Sequence, residues 1–166
     1  MSTLSSVNIT SAPVTDQVSH YVVFCLDDQR YALPLPSVEK VVHMVDITPL
    51  MDAPQIIVGV INMQGRVLPV FNIRRRFQLT ERDIAMDDQL VIAHAAHRTV
   101  ALVVDAVDGL VQCPEQDLLV TGDILPSLEH VEGIIKLQDG LILIHCLDAF
   151  LSGPEEKSLD MALQTS

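Results

Sequence analysis

Tryptophan is absent from this 166-residue chain, and its rings are only 2 Tyr and 4 Phe. So few aromatics make a base-stacking platform of the RNA-binding kind a poor expectation and leave the core to aliphatic side chains. Basic residues are also short: Lys and Arg total 10 against 22 Asp and Glu, a formal net charge of -12. That balance disfavours nucleic acid and anionic membrane surfaces, both of which call for basic patches. No apolar run approaches the roughly 18–20 residues needed to cross a bilayer, so direct membrane insertion is not expected. The three cysteines, Cys25, Cys113 and Cys146, form no C-x-x-C pair and follow no basic, apolar leader. Both facts argue against a disulfide-stapled secreted domain. The 7 glycines are dispersed, and neither G-x-G-x-x-G nor a G-x-S-x-G elbow occurs.

What is present is an apolar fraction of 49% with 19% charged residues, the balance of a packed globule. The reading is a soluble, acidic, intracellular protein. Residues 1–17 are polar and rich in Ser and Thr, as a flexible leader would be.

The chain also contains its own second copy. Gly59–Phe77 (GVINMQGRVLPVFNIRRRF) lies over Gly133–Leu151 (GIIKLQDGLILIHCLDAFL) without a gap. Gly59 falls on Gly133, Met63 on Leu137, Gln64 on Gln138, Val70 on Ile144 and Ile73 on Leu147. An earlier pair supports this: Ala32-Leu33, Val38 and Val41-Val42 fall on Ala101-Leu102, Val107 and Leu110-Val111. Any two aliphatic hairpins look alike, but two matching segments in the same order favour duplication. The pseudo-repeats span about 18–80 and 87–152, and 153–166 form a C-terminal helix and tail.

Short apolar runs around polar turns mark hairpins at 21–35, 56–73, 89–105 and 131–146. Pro34, Pro36 and Pro69 push their stretches toward edges or barrel corners. Many short strands favour small barrels over a helix-layered sheet. Helix is expected at the margins: a linker turn or short helix over 79–88, one turn near 114–119, and an amphipathic helix over 154–163 with Leu159 and Leu163 four apart.

The residue types that carry catalysis do not converge. His94 and His97 are the one close histidine pair, and they fall in a predicted hairpin turn; no zinc spacing occurs. Cys25 and Cys146 read as inert core thiols, and Cys113 as a loop or strand-end residue. Duplicated β halves raise the idea of a shared-proton carboxylate dyad, but Asp108-Gly109 has no matching partner in the first copy and Thr121-Gly122 follows Val120. No enzyme, metal or cofactor is implied. One charge feature stands out: Arg66, Arg74, Arg75, Arg76 and Arg82 place five of the ten basic residues between positions 66 and 82. They form either a solvated strand end balanced by Glu81, Asp83, Asp87 and Asp88, or a positive face for an acidic partner.

The stretch G-V-I-N-M-Q-G-R-V-L-P-V-F-N-I-R-R-R-F resembles the signature of the CheW family, the coupling proteins of bacterial chemotaxis arrays. That signature runs Gly-Val-x-Asn-Leu-Arg-Gly, then apolar residues, Pro and Asp-Leu-Arg. Tyr21–Leu26 with its acidic turn, Thr99–Val111 (TVALVVDAVDGLV) and the closing GLILIHCLDAFL extend the resemblance over about residues 18–152. The resemblance implies an all-β fold: two SH3-like five-stranded β-barrel subdomains related by internal duplication, a further apolar core between them and a short C-terminal helix. It also implies a non-enzymatic cytoplasmic scaffold, a monomer when isolated. Such a scaffold binds the regulatory domain of a CheA-type histidine kinase and the cytoplasmic tip of chemoreceptors at membrane-associated arrays. The alternative is a CheW-like adaptor of a non-flagellar chemosensory pathway, of pilus or biofilm type, or a part of a larger kinase. The start Met, polar leader and finishing helix lead one to expect a complete stand-alone protein.

Carried over by residue, the receptor-facing groove would involve Val38, Lys40, Asn62, Gln64 and Arg66, with Ala101 and Val107 on a second-copy strand. Apolar groove residues suit a helix-in-groove mode. The kinase-facing barrel end would include Asp123 and Ile124. Gly59, Gly65 and Pro69 read as architectural, for turn and strand-end geometry. The chain departs from the family where a Glu in the strand after the first hairpin pairs with the Arg of the Asn-Leu-Arg-Gly turn. The aligned positions here are Lys40 and Gln64, so that ion pair cannot form. Glu39 points to the opposite face in a regular strand and is a poor substitute, while Arg66 could supply the missing cation.

Overall fold

The computed structural model describes residues 18–77, 79–95, 98–120, 131–138, 140–147, 151 and 153–165. The first hairpin pairs β1 (Val18–Leu26) with β2 (Gln29–Pro34). It turns through Asp27, whose φ of 55° is a left-handed conformation that a short polar side chain tolerates. Pro34 ends β2, and a 3-10 turn over Leu35–Ser37 leads into β3 (Val38–His43). β4 (Ile57–Met63) and β5 (Arg66–Phe71) form the next hairpin, followed by the one-turn helix α1 (Ile73–Arg76). Then come β6 (Gln89–His94), β7 (Thr99–Val104), β8 (Ala106–Pro114), β9 (Leu118–Val120), β10 (Val131–Leu137), β11 (Gly140–His145) and helix α2 (Gly153–Thr165). Among the described residues no helix is long and apolar enough to cross a membrane.

The strands make two sheets, in the orders β8-β1-β2-β11-β10-β9 and β3-β6-β7-β5-β4. Replacing each strand by its repeat-mate turns the second order into the first five strands of the other. The match extends to individual pairs. The parallel contact Val70↔Ala101 in one sheet is Ile144↔Ala32 in the other. The bulge between Val38 and Lys40 recurs between Val107 and Gly109, and the one between Ile57 and Gly59 recurs between Val131 and Gly133. The bridge Thr48↔Val60 stands where β9 pairs Leu119 with Ile134.

The two sheets do not follow the two halves of the sequence. Each half lends its first hairpin to the sheet completed by the other: β1-β2 joins β8–β11, and β6-β7 joins β3–β5. Three apolar clusters result. Ile61, Leu68, Val70, Leu90 and Ile92 fill the five-stranded barrel, and Tyr21, Val23, Ile135, Ile142 and Ile144 fill the six-stranded one. Between them lies the largest. Phe24, Leu26, Tyr31 and Leu33 of the six-stranded sheet meet Phe71, Val91, Val100 and Leu102 of the five-stranded sheet, closed by Leu147, Leu151 and Leu159. Alternation explains the division. In β7, Ala101 and Val103 point into the barrel while Val100, Leu102 and Val104 face the central cluster.

Helix α2 begins at Gly153-Pro154 with Glu155 and Glu156 in its first turn, where Pro and acidic residues suit a helix start. It buries Leu159 and Ala162, and Arg76 and Arg98 hold it through Glu155, Glu156 and Asp160. Of the linker turn or short helix expected over 79–88, the structure has the turn, at Met86-Asp87, and no helix; a helical turn lies earlier, at Ile73–Arg76, where the Asn72 side chain accepts from the Arg74 amide and caps it. One expectation is corrected. Ala101 and Val107, read as one strand, belong to β7 and β8 in different sheets, divided at Asp105. Pro69 lies within β5, second from the edge of its sheet, just before the parallel pairing to β7 begins at Val70.

Candidate interaction surface

The β4-β5 turn is built locally. Gln64 and Gly65 both take positive φ, 55° and 88°, the pattern of a two-residue hairpin turn matched to strand twist. The Asn62 side-chain oxygen accepts from the Gly65 amide at 2.9 Å and closes the turn. This leaves Asn62, Gln64 and Arg66 exposed at one end of the five-stranded barrel. Gly59 is required by space: a Cβ there would stand 2.2 Å from the Thr48 carbonyl oxygen.

Lys40 and Gln64 do not supply an ion pair, but Glu39 and Arg66 do. The Arg66 guanidinium donates twice to the Glu39 carboxylate, at 3.2 and 2.5 Å, and His94 Nε2 lies 3.4 Å from it. Regular strand alternation would turn Glu39 to the opposite face, but a bulge interrupts the alternation at this residue. Val38 pairs with Ala93 and Lys40 with the adjacent Ile92, so Glu39 is the extra residue and is re-aimed toward the β4-β5 turn. Hydrogen bonding to Arg66 holds the Glu39 carboxyl below its ordinary range. The pair ties edge strand β3 to the hairpin on the far side of the sheet order.

Val38 and Val107 are repeat-mates, each at a bulge, and both half-buried side chains pack against the central cluster from different barrels. Leu35 and Leu110, on the segments that carry them, stay exposed at 36% and 63%. Ala101, expected in the groove, is instead fully buried among Ile61, Val70 and Ile92 inside the five-stranded barrel and presents no atom to a partner. Leu110, the repeat-mate of Val41, is an exposed apolar residue of that region beyond those the resemblance implies. Asp123, Ile124 and His97 lie outside the described residues.

The arginine run is not a positive face. Arg74 is buried and reaches Asp27 at 2.9 Å and Asp105 at 2.8 and 2.9 Å. Arg82 pairs with Asp88 and Asp105, Arg75 with Glu81, and Arg76 with Glu155. The neutralising carboxylates are largely remote in sequence, so local charge balance named only Glu81 and Asp88 of them. Asp105 sits below the ordinary carboxylate range: burial alone would raise it, and hydrogen bonds from Arg74, the Asp27 amide and Arg82 outweigh that.

Cys25 is half-buried rather than a core thiol, and its Sγ donates to Asp108 at 3.1 Å. Burial and that carboxylate push the thiol up to about 11. Among the described residues no three His, Cys, Asp or Glu side chains are placed to hold a metal.

Comparison with known proteins gives one consistent result. A family model described as CheW-like domain matches residues 20–158. Chemotaxis protein CheW of Rhizobium meliloti is 25% identical over 139 residues, 82% of this chain and 90% of that one. Its namesake in Thermotoga maritima is 27% identical over 128 residues, 77% and 84% of the two chains. The crystal structure of scaffolding protein TtCheW from Thermoanaerobacter tengcongensis superposes with a TM-score of 0.76 at 28% identity, covering 84% of this chain and 96% of that one.

Proposed function

The chain belongs to the CheW-like domain family, and from that premise we propose that it is a non-enzymatic adaptor of chemotaxis. It joins the cytoplasmic tip of chemoreceptors to the regulatory domain of a CheA-type histidine kinase in the cytoplasm. The observation that carries this reading is the family match over residues 20–158. The architecture supports it: two barrels of one topology, held by a shared core, can offer separate faces to separate partners.

On this reading the receptor-facing residues are Val38, Lys40, Asn62, Gln64, Arg66 and Val107, joined by Glu39 and Leu110. The apolar members lie along edge strands β3 and β8 beside the central cluster, as a helix-in-groove contact requires. Asp123 and Ile124 are assigned to the kinase side on sequence resemblance. Gly59 and Gly65 shape the barrel and its turn.

The test is light scattering after size-exclusion chromatography of the protein mixed with the regulatory domain of a CheA-type kinase from the same organism. A one-to-one complex supports the scaffold reading, and two separate peaks at roughly tens of micromolar overturn it. Substituting Val38→Asp then addresses the groove: receptor capture is expected to be lost while kinase binding and the melting transition persist. Equal loss of both contacts with the melting transition retained refutes the assignment, whereas equal loss with the transition gone reports misfolding, and the milder Val38→Thr then decides. Repeating the capture with receptors of flagellar and of pilus-type systems separates the two chemosensory readings by which one binds.

A further inference from the structure

The chain passes between the sheets at only two places among the described strands: from β2 to β3 through Leu35–Ser37, and from β7 to β8 through the single residue Asp105. Any rotation of one barrel against the other must be taken up at these two crossovers. They are stiffened differently. The first carries Pro34 and Pro36, whose rings fix φ. The second has no proline and instead is the centre of a charge cluster.

At that cluster Arg74, which follows β5 of the five-stranded barrel, reaches both Asp105 and Asp27, the turn residue of the β1-β2 hairpin in the six-stranded barrel. Arg82 grips Asp105 from the side at 2.5 Å and is itself held by Asp88, which is buried and accepts from the Ala85 amide. Backbone bonds complete the stitching. The Asp27 amide donates to Asp105 at 2.7 Å, the Asp105 amide to the Cys25 carbonyl at 3.0 Å, and the Val107 amide to the Gln89 side chain at 2.8 Å. Of the two arginines only Arg74 has its side chain withdrawn from water, and it holds two carboxylates from different elements at once, while the Arg82 fork on Asp88 fixes the guanidinium that reaches Asp105. Such charge-assisted hydrogen bonds are directional, so they oppose rotation as well as separation.

We infer that the Asp27–Arg74–Asp105–Arg82 cluster locks the second crossover and sets the angle between the two barrels. Arg74 and Arg82 are positioning residues: they touch neither candidate partner surface but hold those surfaces in one relative orientation. The lock itself stands on geometry; its consequence for signalling rests on the adaptor reading. On that reading, releasing it leaves each partner able to bind alone while their simultaneous, kinase-activating assembly fails.

The angle can be read without any partner, which keeps the two ideas separable. Spin labels at Val67→Cys and Leu141→Cys, exposed repeat-mates in different barrels, report the inter-barrel distance by pulsed electron resonance. Cys25, Cys113 and Cys146 are replaced by alanine in this background. Arg74→Gln and the milder Arg82→Gln are expected to broaden the distance distribution about twofold or more. Arg75→Gln is expected to leave it unchanged, since the Arg75 partners are Glu81 and Gln55 and neither Asp27 nor Asp105. Parent-like widths in both Arg74→Gln and Arg82→Gln, or equal broadening in Arg75→Gln, overturn the lock. Should Arg74→Gln fail to fold, Arg82→Gln decides. Broadening together with lost kinase activation at unchanged single-partner affinities extends the lock to function. Broadening with no partner bound by any variant keeps the lock and removes the adaptor reading.

Discussion

In the five-stranded barrel the bulge residue is Glu39, and in the six-stranded barrel its repeat-mate is Asp108. Both are carboxylates presented by the same irregularity in the same strand position, yet they meet different groups. Glu39 finds Arg66 at the start of β5. The residue that replaces Arg66 in the second copy is Gly140, the first residue of β11, so Asp108 takes a thiol hydrogen from Cys25 instead. One barrel is tied by charge from its edge strand to the opposite hairpin. In the other, a cleft of about 570 Å3 opens beside β8 and β10, with Val111, Cys113, Leu119 and Ile135 in its lining. Duplication preserved order, register and bulges, while side chains at equivalent rim positions diverged. A partner that reads one rim therefore meets different chemistry on the other.

The backbone plan and the side chains can be separated by substitution. The largest effect is expected at the paired glycines, which serve the same bulge. A methyl at Gly59 would stand 2.2 Å from the Thr48 carbonyl oxygen and 2.8 Å from its carbon, both rigid backbone. At Gly133 the nearest atom, at 2.9 Å, is the flexible end of Leu118, with the Leu119 oxygen at 3.2 Å. Gly59→Ala is expected to cost about 3 kcal/mol or more and Gly133→Ala about 1 kcal/mol in urea unfolding. Equal costs would show that the two barrels tolerate strain alike and that the closer approach beside β4 is not limiting.

What was legible in the sequence followed range. The Gln64-Gly65 turn depends on residues that touch it, and Gly59 over Gly133 already aligned the hairpins that carry matching bulges. Pro34 and Pro36 marked an edge or barrel corner, and the first crossover lies there, though not its passage from one sheet to the other. The second was half legible: the hairpin expected over 89–105 stops at Asp105, but nothing in TVALVVDAVDGLV says that the chain changes sheets there, where an ion network joins Asp105 to Arg74 and Arg82, 31 and 23 residues away. The exchange of hairpins between halves was equally hidden, since strand periodicity specifies a face and not a neighbour. Glu39 was misjudged because alternation holds for regular strands and a bulge is set by packing. Ala101 was misplaced because family resemblance locates a strand more readily than the direction of one side chain.

A smaller effect is expected at Cys25, the residue that answers Asp108. Its thiol is pushed up to about 11, first by burial and then by the hydrogen bond and charge of Asp108. At pH 8 little thiolate exists, so alkylation of Cys25 followed by peptide mass spectrometry is expected to be slow. Asp108→Asn removes the anion and lowers the thiol value, and the rate should rise several-fold at fixed pH. Burial remains, so the rate should not reach that of an exposed cysteine. No change on substitution would mean that Asp108 does not face the sulfur in solution, and the contrast with Glu39 would lose one of its two sides.

The smallest effect concerns the other side of that contrast. Glu39 titrates below the ordinary carboxylate value of 4.5, chiefly through hydrogen bonding to Arg66. A carboxyl depressed on folding adds stability that is fully present above its unfolded value and is lost as pH falls through the lower folded one. The β3-to-hairpin tie should therefore hold unchanged from neutrality to about pH 5 and loosen only in more acid solution. Because both side chains are substantially solvated, Arg66→Gln should leave the melting transition close to the parent's. Carbon-detected NMR of the Glu39 carboxyl is the measurement: a midpoint below 4.5 in the parent that returns toward it in Arg66→Gln is the expected result. If the midpoint is ordinary in both proteins, the pair is not formed in solution. The five-stranded barrel would then share the untied edge of its counterpart, and the difference between the two rims would have to lie in their apolar residues alone.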